Sequence, residues 1–203
     1  IREYAAEAEE HRRLSRPVVD AMLQAGLYSM SHPKAFGGLE VDPLTMFRVV
    51  EEVARHDSAA GWNLQLAVAA SCFLAWLPDA GAAEIMHSPP QTIIATSFTP
   101  GRQAIPMDGG YHLSGQWPFV SGSHDGHWFL FLPQIMDGDQ PRLDDQGSPV
   151  QRFMFLPSDK ATILDTWHTL GMRGTGSDDV VVSDLFIPER HTALLAPLEK
   201  PGT

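Results

Sequence analysis

The spacing of apolar residues changes near residue 90 of the 203-residue chain. Before that point, apolar side chains recur every three or four residues, as on one face of a helix. After it, short β-branched and aromatic runs alternate with turn residues. The pattern predicts a helical domain over residues 1–90, a β-domain over residues 91–190 and a linker over residues 191–203. The predicted fold class is therefore α+β, with the strands forming an antiparallel sandwich or barrel.

Proline, aspartate and glycine mark the boundaries of the predicted helices. Pro17 is expected in a first helical turn, where its missing N–H costs nothing. Gly26 is expected as a left-handed cap, and Asp42 as the N-cap of the following helix. Residues 58–76 predict an almost entirely apolar helix that should be buried on most sides, and residues 79–87 predict a last short helix.

The β-domain is predicted from short apolar runs separated by turn signals. The run from Trp128 to Leu132 is continuously apolar, as expected of a core strand. Residues 137–148 are polar and contain Gly and Pro, which predicts a loop. The predicted strands cover residues 92–98, 111–115, 128–132, 153–156, 161–166 and 180–187.

Composition limits the classes of partner. The net charge of −11 and the lack of a basic run disfavour nucleic acid as a partner.

Cys72 has no second cysteine to pair with, and its apolar neighbours predict a buried thiol rather than a nucleophile. The apolar stretch Leu64 to Leu77 is too short for a bilayer and Ile1 to Tyr4 is no signal peptide, so a cytoplasmic location without membrane contact is predicted. Because the first residue is not Met, the chain is expected to begin inside a longer one.

Residue types alone identify no catalytic set. The sequence contains no dinucleotide-binding glycine fingerprint, no phosphate-binding P-loop and no nucleophile elbow. His124 and His127 lack a third ligand at a recognised spacing, which favours a polar turn over a metal site. The carboxylates of residues 137–148 lack the calcium-loop spacing, so no metal is predicted.

Two segments carry an unusual mixture of residues. Residues 114–122 combine two aromatics and two hydroxyls in a strand that contains Pro118, which indicates a bulge or a sheet edge. Residues 166–177 place three glycines, several hydroxyl residues and Arg173 within a short span. From periodicity alone, turns with a purely structural role and a ligand-binding surface are equally acceptable interpretations of these two segments.

Residues 114–122 resemble the flavin-contacting strand of acyl-CoA dehydrogenases, whose pattern is Asn-Gly-x-Lys-x-Trp-Ile-Thr-Asn. Phe119 takes the Trp position and Ser121 the Thr position, whereas Trp117 replaces Lys. These departures match the oxygenase components of two-component flavin monooxygenases, such as para-hydroxyphenylacetate hydroxylase, which carry Trp-x-Phe-x-Ser-Gly. Residues 166–177 are similar to the Trp-x-x-x-Gly-Met-Arg-Gly-Thr-Gly-Ser segment of the same branch.

Shorter matches extend the resemblance over essentially the whole chain. Residues 33–38 and 51–57 are similar to the helical N-terminal domain of this superfamily, and residues 98–101 lie where dehydrogenases have Thr-Glu-Pro-x-x-Gly-Ser, without the Glu. The superfamily fold is a helical domain, a β-domain and a C-terminal four-helix bundle, and no residues remain here for the bundle. The resemblance therefore implies an incomplete catalytic set, and poor flavin binding by the 203 residues alone.

The resemblance also implies a function. It points to an oxygenase component that uses molecular oxygen and a reduced flavin (FMN or FAD) from a separate reductase to hydroxylate a small aromatic substrate. Ser121 is the expected catalytic residue, with its hydroxyl or backbone amide near the reactive edge of the flavin. The expected flavin-binding residues are Phe98, Thr99, Phe119, Val120, Ser121 and Gly122, and the expected substrate-binding residues are Trp117, Arg173 and Thr175. A homo-oligomer is expected at full length.

Two alternatives remain open. A true acyl-CoA dehydrogenase would remove an α-proton from an acyl thioester with a carboxylate base and pass a hydride to FAD, but no secure base is apparent in this sequence. A non-catalytic fragment or scaffold would keep the fold without the activity. A Glu base in C-terminal sequence would favour dehydrogenation, and a His facing the flavin ring would favour hydroxylation.

Overall fold

The fold begins with helices and continues as two β-sheets. The computed structural model describes residues 1–87, 91–99 and 102–195. The helices are α1 (Ala5–His11), α2 (Arg16–Gln24), α3 (Pro43–His56), α4 (Ser58–Cys72) and α5 (Asp79–Met86), joined by short 3-10 turns. The domain boundary expected near residue 90 lies outside the described residues, between α5 and the first strand.

The strands form a four-stranded and a six-stranded sheet. They are β1 (Ile94–Ser97), β2 (Gln103–Met107), β3 (Gly110–Val120), β4 (Trp128–Phe131), β5 (Gln134–Asp137), β6 (Gln140–Pro141), β7 (Arg152–Pro157), β8 (Thr162–Leu164), β9 (Asp178–Pro188) and β10 (Thr192–Leu194). The smaller sheet has the order β1-β4-β7-β10 and the larger one β6-β5-β2-β3-β9-β8. The β1–β4 and β2–β5 pairs are parallel, so the sheets are mixed rather than purely antiparallel as expected.

The smaller sheet is the middle layer of the structure. Phe129 and Phe131 of β4 face the larger sheet, and Trp128 and Leu130 of the same strand face α4 and α5. Because both faces of β4 are covered, every one of its side chains is buried. The expectation of a core strand at the continuous apolar run is confirmed.

Capping residues set the ends of the helices as the sequence predicted. Asp42 accepts a hydrogen bond from the backbone N–H of Thr45 at 3.0 Å, and Asp57 caps α4 through the N–H of Ala59 at 2.9 Å. Gly26 lies in the left-handed region with φ of 74° after α2. These caps satisfy N–H and C=O groups that the helix ends would otherwise leave unpaired.

Helix α4 lies between α3 and the smaller sheet. Its contact with α3 requires Gly61, because a Cβ there would lie 2.5 Å from the Cβ of Ala54. The segment Ser58–Trp76 has 19 residues and a mean hydropathy of 1.2, so by length and composition alone it could cross a membrane, contrary to the expectation from sequence. Its most apolar window is 56% buried inside the protein, the pattern of a core helix.

Several sequence-based expectations are wrong in detail. Strand β10 pairs with β7, so residues 192–194 belong to the β-domain rather than to a linker. Cys72 is exposed at the end of α4, because the described residues leave that part of the helix uncovered. The strand at residues 103–107 was missed, and the polar loop at residues 137–148 holds a short β5–β6 pair that was missed as well.

A bulge interrupts β3 at Pro118, as the proline predicted. The register of β3 against β9 shifts between Trp117 and Val120, although β3 lies inside the sheet and not at its edge. Trp117 is 0% exposed, and its ring stacks on Phe131 with 4.2 Å between centroids. Phe119 adopts a φ of 61° and is 64% exposed. Because of the bulge, two aromatic side chains that are two residues apart lie in different environments, Trp117 in the core and Phe119 at the surface.

This contrast predicts unequal stability effects. Trp117→Ala should lower the free energy of unfolding by roughly 3–5 kcal/mol, because it opens a cavity in the packed core. Phe119→Ala should change it by less than about 1 kcal/mol, because surface substitutions usually have small effects. Urea denaturation of the two variants measures both values. Equal losses would show that Trp117 is not the core residue of this bulge.

Candidate functional site

A cavity of about 480 Å³ lies between α4, the end of β1 and the β3 bulge. One wall consists of side chains at helical spacing along α4 and the turn that follows it, namely Trp62, Leu66, Ala69 and Phe73. This wall is apolar, and the Trp62 indole adds a hydrogen-bond donor to it.

Strands and one loop supply the opposite wall. Strand β1 and the residue after it contribute Thr96, Ser97 and Phe98, and the bulge contributes Phe119 and Ser121. The loop between β8 and β9, at residues 165–177, contributes Trp167, Met172, Thr175 and Ser177. The site is thus an aromatic-walled concavity with several hydroxyls, which is the usual composition of a small-molecule pocket.

The hydroxyl groups of this cavity form a connected chain. The Trp62 Nε1–H donates to Ser121 Oγ at 3.0 Å, and Ser121 Oγ lies 2.7 Å from Ser177 Oγ. Ser177 Oγ lies 2.6 Å from Thr175 Oγ1, which donates to the carbonyl of Met172 at 2.8 Å. Three structural elements, α4, the bulge and the 165–177 loop, are therefore joined by one hydrogen-bonded path.

A buried carboxylate holds the 165–177 loop. Oδ1 of Asp178 accepts from the backbone N–H groups of Thr166 and Trp167, both at 2.8 Å. Its Oδ2 lies 2.9 Å from His124 Nε2, and the side chain is 3% exposed. A carboxylate this buried needs such partners, since an unpaired buried charge is costly. Asp178 thereby fixes Trp167 at the cavity, where its ring meets Phe119 edge to face at 6.2 Å.

Small residues let the loop approach the helices. A Cβ at Gly174 would lie 3.1 Å from the Cβ atoms of both Ala8 and Ala59. Gly176 has a φ of 51°, a left-handed conformation that glycine adopts without strain. Packing therefore explains Gly174, and backbone geometry explains Gly176.

The structure brings four of the sequence-predicted residues together at the cavity, namely Phe98, Phe119, Ser121 and Thr175. Thr99 is adjacent, since its Oγ1 lies 3.0 Å from Ser97 Oγ. Gly122 lies beneath the cavity and donates its N–H to the Thr175 carbonyl at 2.8 Å.

Three predicted residues are placed elsewhere. Trp117 and Val120 are fully buried in the core between the two sheets, so neither side chain reaches the cavity. The Arg173 side chain turns to α1, where its Nε donates to the carbonyl of Glu9 at 2.8 Å. The expected substrate contacts of Trp117 and Arg173 are thus corrected, because the bulge and the loop geometry direct these side chains away.

Sequence reasoning missed much of the cavity wall. Trp62 and Leu66 belong to a helix that is apolar on all sides, so periodicity could not show which face lines a cavity. Trp167 and Ser177 lie in the glycine-rich and hydroxyl-rich segment 166–177, but their pairing with Phe119 and Ser121 depends on tertiary structure.

The polar turn that follows β3 serves structure. His127 Nδ1 accepts from the N–H of Ile93 at 3.0 Å, and His124 faces Asp178, so the two histidines are used separately. Among the described residues, no group of three or more His, Cys, Asp or Glu side chains is placed to hold a metal. Burial raises the pKa of Asp125 from 3.8 to about 6 and lowers the pKa of His127.

The raised pKa of Asp125 predicts a pH dependence of stability. The folded protein holds this proton more tightly than the unfolded chain, so the contribution of Asp125 is most favourable below pH 3.8 and declines as the pH rises to about 6. Asp125→Asn removes this titration. The melting temperature of the variant minus that of the wild type should therefore increase between pH 4 and pH 7.

Differential scanning fluorimetry of both proteins over this range checks the prediction. The difference between the two proteins is the relevant quantity, because carboxyls such as Asp42 and Glu84 have lowered pKa values and act in the opposite sense. A flat difference would contradict the burial of the Asp125 carboxyl.

Comparison with known proteins gives matches along almost the whole chain. Residues 1–85 match the family described as acyl-CoA dehydrogenase, N-terminal domain. An indole-3-acetate monooxygenase of Pseudomonas putida is 34% identical over 186 residues, which are 92% of this chain and 46% of that protein. The oxygenase component of an FADH2-dependent resorcinol hydroxylase of a Rhizobium species is 31% identical, over 97% of this chain and 46% of that protein.

Solved structures of the same kind superimpose on the chain. XiaF from a Streptomyces species, in complex with FADH2 and glycerol, is 32% identical with a TM-score of 0.84, over 96% of this chain and 48% of that one. The HsaA monooxygenase from Mycobacterium tuberculosis is 27% identical with a TM-score of 0.87, over 95% of this chain and 48% of that one. The chain thus spans about half the length of the relatives it matches.

Proposed function

The chain belongs to the acyl-CoA dehydrogenase superfamily, alongside its flavin-dependent oxygenase components, and from this premise we propose that its cavity binds a reduced flavin for the hydroxylation of a small aromatic substrate. The proposal covers the activity of a complete oxygenase, to which these residues contribute the helical and β-domain walls. The relatives named for indole-3-acetate and resorcinol support a small aromatic as the substrate class.

The observation that carries the proposal is a cavity lined by both aromatic side chains and hydroxyl groups. A flavin ring is flat, with two apolar faces and a polar edge, so it requires apolar walls and a few well-placed polar groups. Phe119 is 64% exposed beside the cavity, and its neighbours in the lining include Trp62 and Trp167. Ser121 and Ser97 supply polar atoms in the same cavity. The apolar walls and the polar atoms of Ser97 and Ser121 fit the flat faces and the polar edge of a flavin ring.

The residues of the chain would bind, orient and shield the ring. Phe119 and Trp167 supply apolar surface that keeps water from one side of the cavity. Ser121, held by Trp62 and Ser177, supplies a fixed polar contact for a ring edge. The chemistry that a bound reduced flavin supplies is two-electron activation of oxygen. The protein contribution is thus orientation and exclusion of water.

The named relatives also inform the proposed partners. An oxygenase component of this kind receives its reduced flavin from a separate reductase, which we include in the proposal with FMN and FAD as the two candidate flavins. A cytoplasmic homo-oligomer at full length is part of the same proposal.

Flavin binding should depend on the exposed aromatic of the bulge. Phe119→Ala in the full-length protein is expected to weaken reduced-flavin binding roughly tenfold, because stacked and edge-to-face aromatic contacts and the area they bury are lost. Phe186→Ala is the matched control, since Phe186 is also exposed but lies on the larger sheet outside the cavity lining. Anaerobic titration with reduced FMN and reduced FAD measures the dissociation constants of both variants. Equal losses of affinity in the two variants would place the flavin elsewhere.

The activity itself is tested by oxygen incorporation. Full-length protein loaded anaerobically with reduced flavin is mixed with isotopically labelled oxygen and a panel of phenols and indoles. Mass spectrometry should detect one labelled oxygen atom in a hydroxylated product. Oxidation of the flavin without labelled product for any aromatic, together with desaturation of an acyl thioester, would replace this proposal with the dehydrogenase alternative.

A further inference from the structure

The hydrogen-bonded chain beside Ser121 has a fixed direction. The Met172 carbonyl can only accept and the Trp62 indole can only donate. Since Thr175 gives its single hydroxyl proton to Met172, the Thr175 oxygen must accept from Ser177, and Ser177 in turn must accept from Ser121. The Ser121 proton is therefore committed to Ser177, while its oxygen already accepts from Trp62.

The remaining hydroxyls of the cavity obey the same rule. Ser97 donates to the Pro118 carbonyl at 2.7 Å, so it must accept from Thr99, and Thr96 donates to the Leu130 carbonyl at 2.8 Å. The second indole N–H of the cavity wall also has a protein acceptor. It belongs to Trp167 and donates to the Met172 carbonyl at 3.0 Å. Among the described lining residues, every hydroxyl and indole hydrogen is thus directed to a protein acceptor.

The cavity consequently presents acceptors and not donors from its side chains. A hydroxyl oxygen has two lone pairs, and Ser121 uses one of them to accept from Trp62, which leaves one for a ligand. A ligand that offers an N–H or O–H can bond to it. A ligand that offers a lone pair meets another lone pair, unless Ser121 withdraws its proton from Ser177.

We propose that this directed chain makes the site select reduced over oxidised flavin, with Trp62, Ser177 and Thr175 as positioning residues that hold Ser121 as an acceptor. The inference rests on the proposed function, since it presumes that a flavin occupies the cavity. The reduced ring carries an N–H at its central edge, where the oxidised ring carries a nitrogen lone pair. Ser121 donates its proton to Ser177, so it can accept from the N–H of the reduced ring but cannot donate to the lone pair of the oxidised ring.

The test measures affinities for both redox states in the full-length protein. Reduced FMN and FAD are titrated anaerobically and oxidised FMN and FAD in air, and the ratio of the two dissociation constants is determined for each flavin. Ser177→Ala frees the Ser121 proton to turn into the cavity, so the preference for the reduced form should fall roughly tenfold, the value of about one hydrogen bond. For a two-electron couple this corresponds to a shift of about 30 mV in the potential of the bound flavin.

Further variants separate polarity from packing. Thr175→Val keeps the shape of the side chain but removes the acceptor of the Ser177 proton, so it should lower the preference in the same direction. Thr175→Ser retains a hydroxyl and should preserve it. In a Ser121→Ala background, Ser177→Ala should have no further effect, because the group through which Ser177 acts is gone.

The outcomes distinguish this inference from the proposed function. Wild-type protein that binds neither redox state of either flavin would overturn the proposed function and the inference with it. Flavin binding with a redox preference that Ser177→Ala and Thr175→Val both leave unchanged would overturn the inference alone. A preference that falls in both variants and stays in Thr175→Ser supports it.

Discussion

The bulge at Pro118 in β3, an inner strand of the larger sheet, is the feature on which the cavity depends. An uninterrupted β3 would place Trp117 and Phe119 on the same face, because side chains two residues apart in a strand point the same way. The register shift separates them, so Trp117 stacks on Phe131 in the core while Phe119 remains exposed. The strain of a positive φ at Phe119 is held by the ladder on both sides of the bulge.

The same bulge connects the β-domain to the helices. Ser97 of β1 donates to the Pro118 carbonyl, and Ser121 receives the indole N–H of Trp62 from α4. The 165–177 loop, fixed by the buried carboxylate of Asp178, completes the wall. The cavity therefore belongs to neither domain alone. A change in the packing of α4 on β1 would alter its shape even if every strand stayed intact.

Saturation of the polar groups gives this site its chemical character. In water a serine hydroxyl can rotate to donate or accept as a ligand requires. Here each hydroxyl proton has a protein acceptor, so reorientation would break a bond that is already made. A preorganised acceptor needs no reorientation when a ligand binds, which is the general advantage of a preorganised polar site.

The sequence by itself determined the order of elements and the general type of protein. The caps Asp42 and Gly26, the apolar run of β4 and the bulge at Pro118 are local features, readable because their causes lie within a few residues. The resemblance at residues 114–122 and 166–177 pointed to the acyl-CoA dehydrogenase superfamily, whose N-terminal domain matches residues 1–85. Only the tertiary structure decided which side chains meet. Helix α4 is apolar all round, so only its packing on α3 and β1 shows which face lines the cavity, and the direction of the hydroxyl chain depends on contacts between residues far apart in sequence.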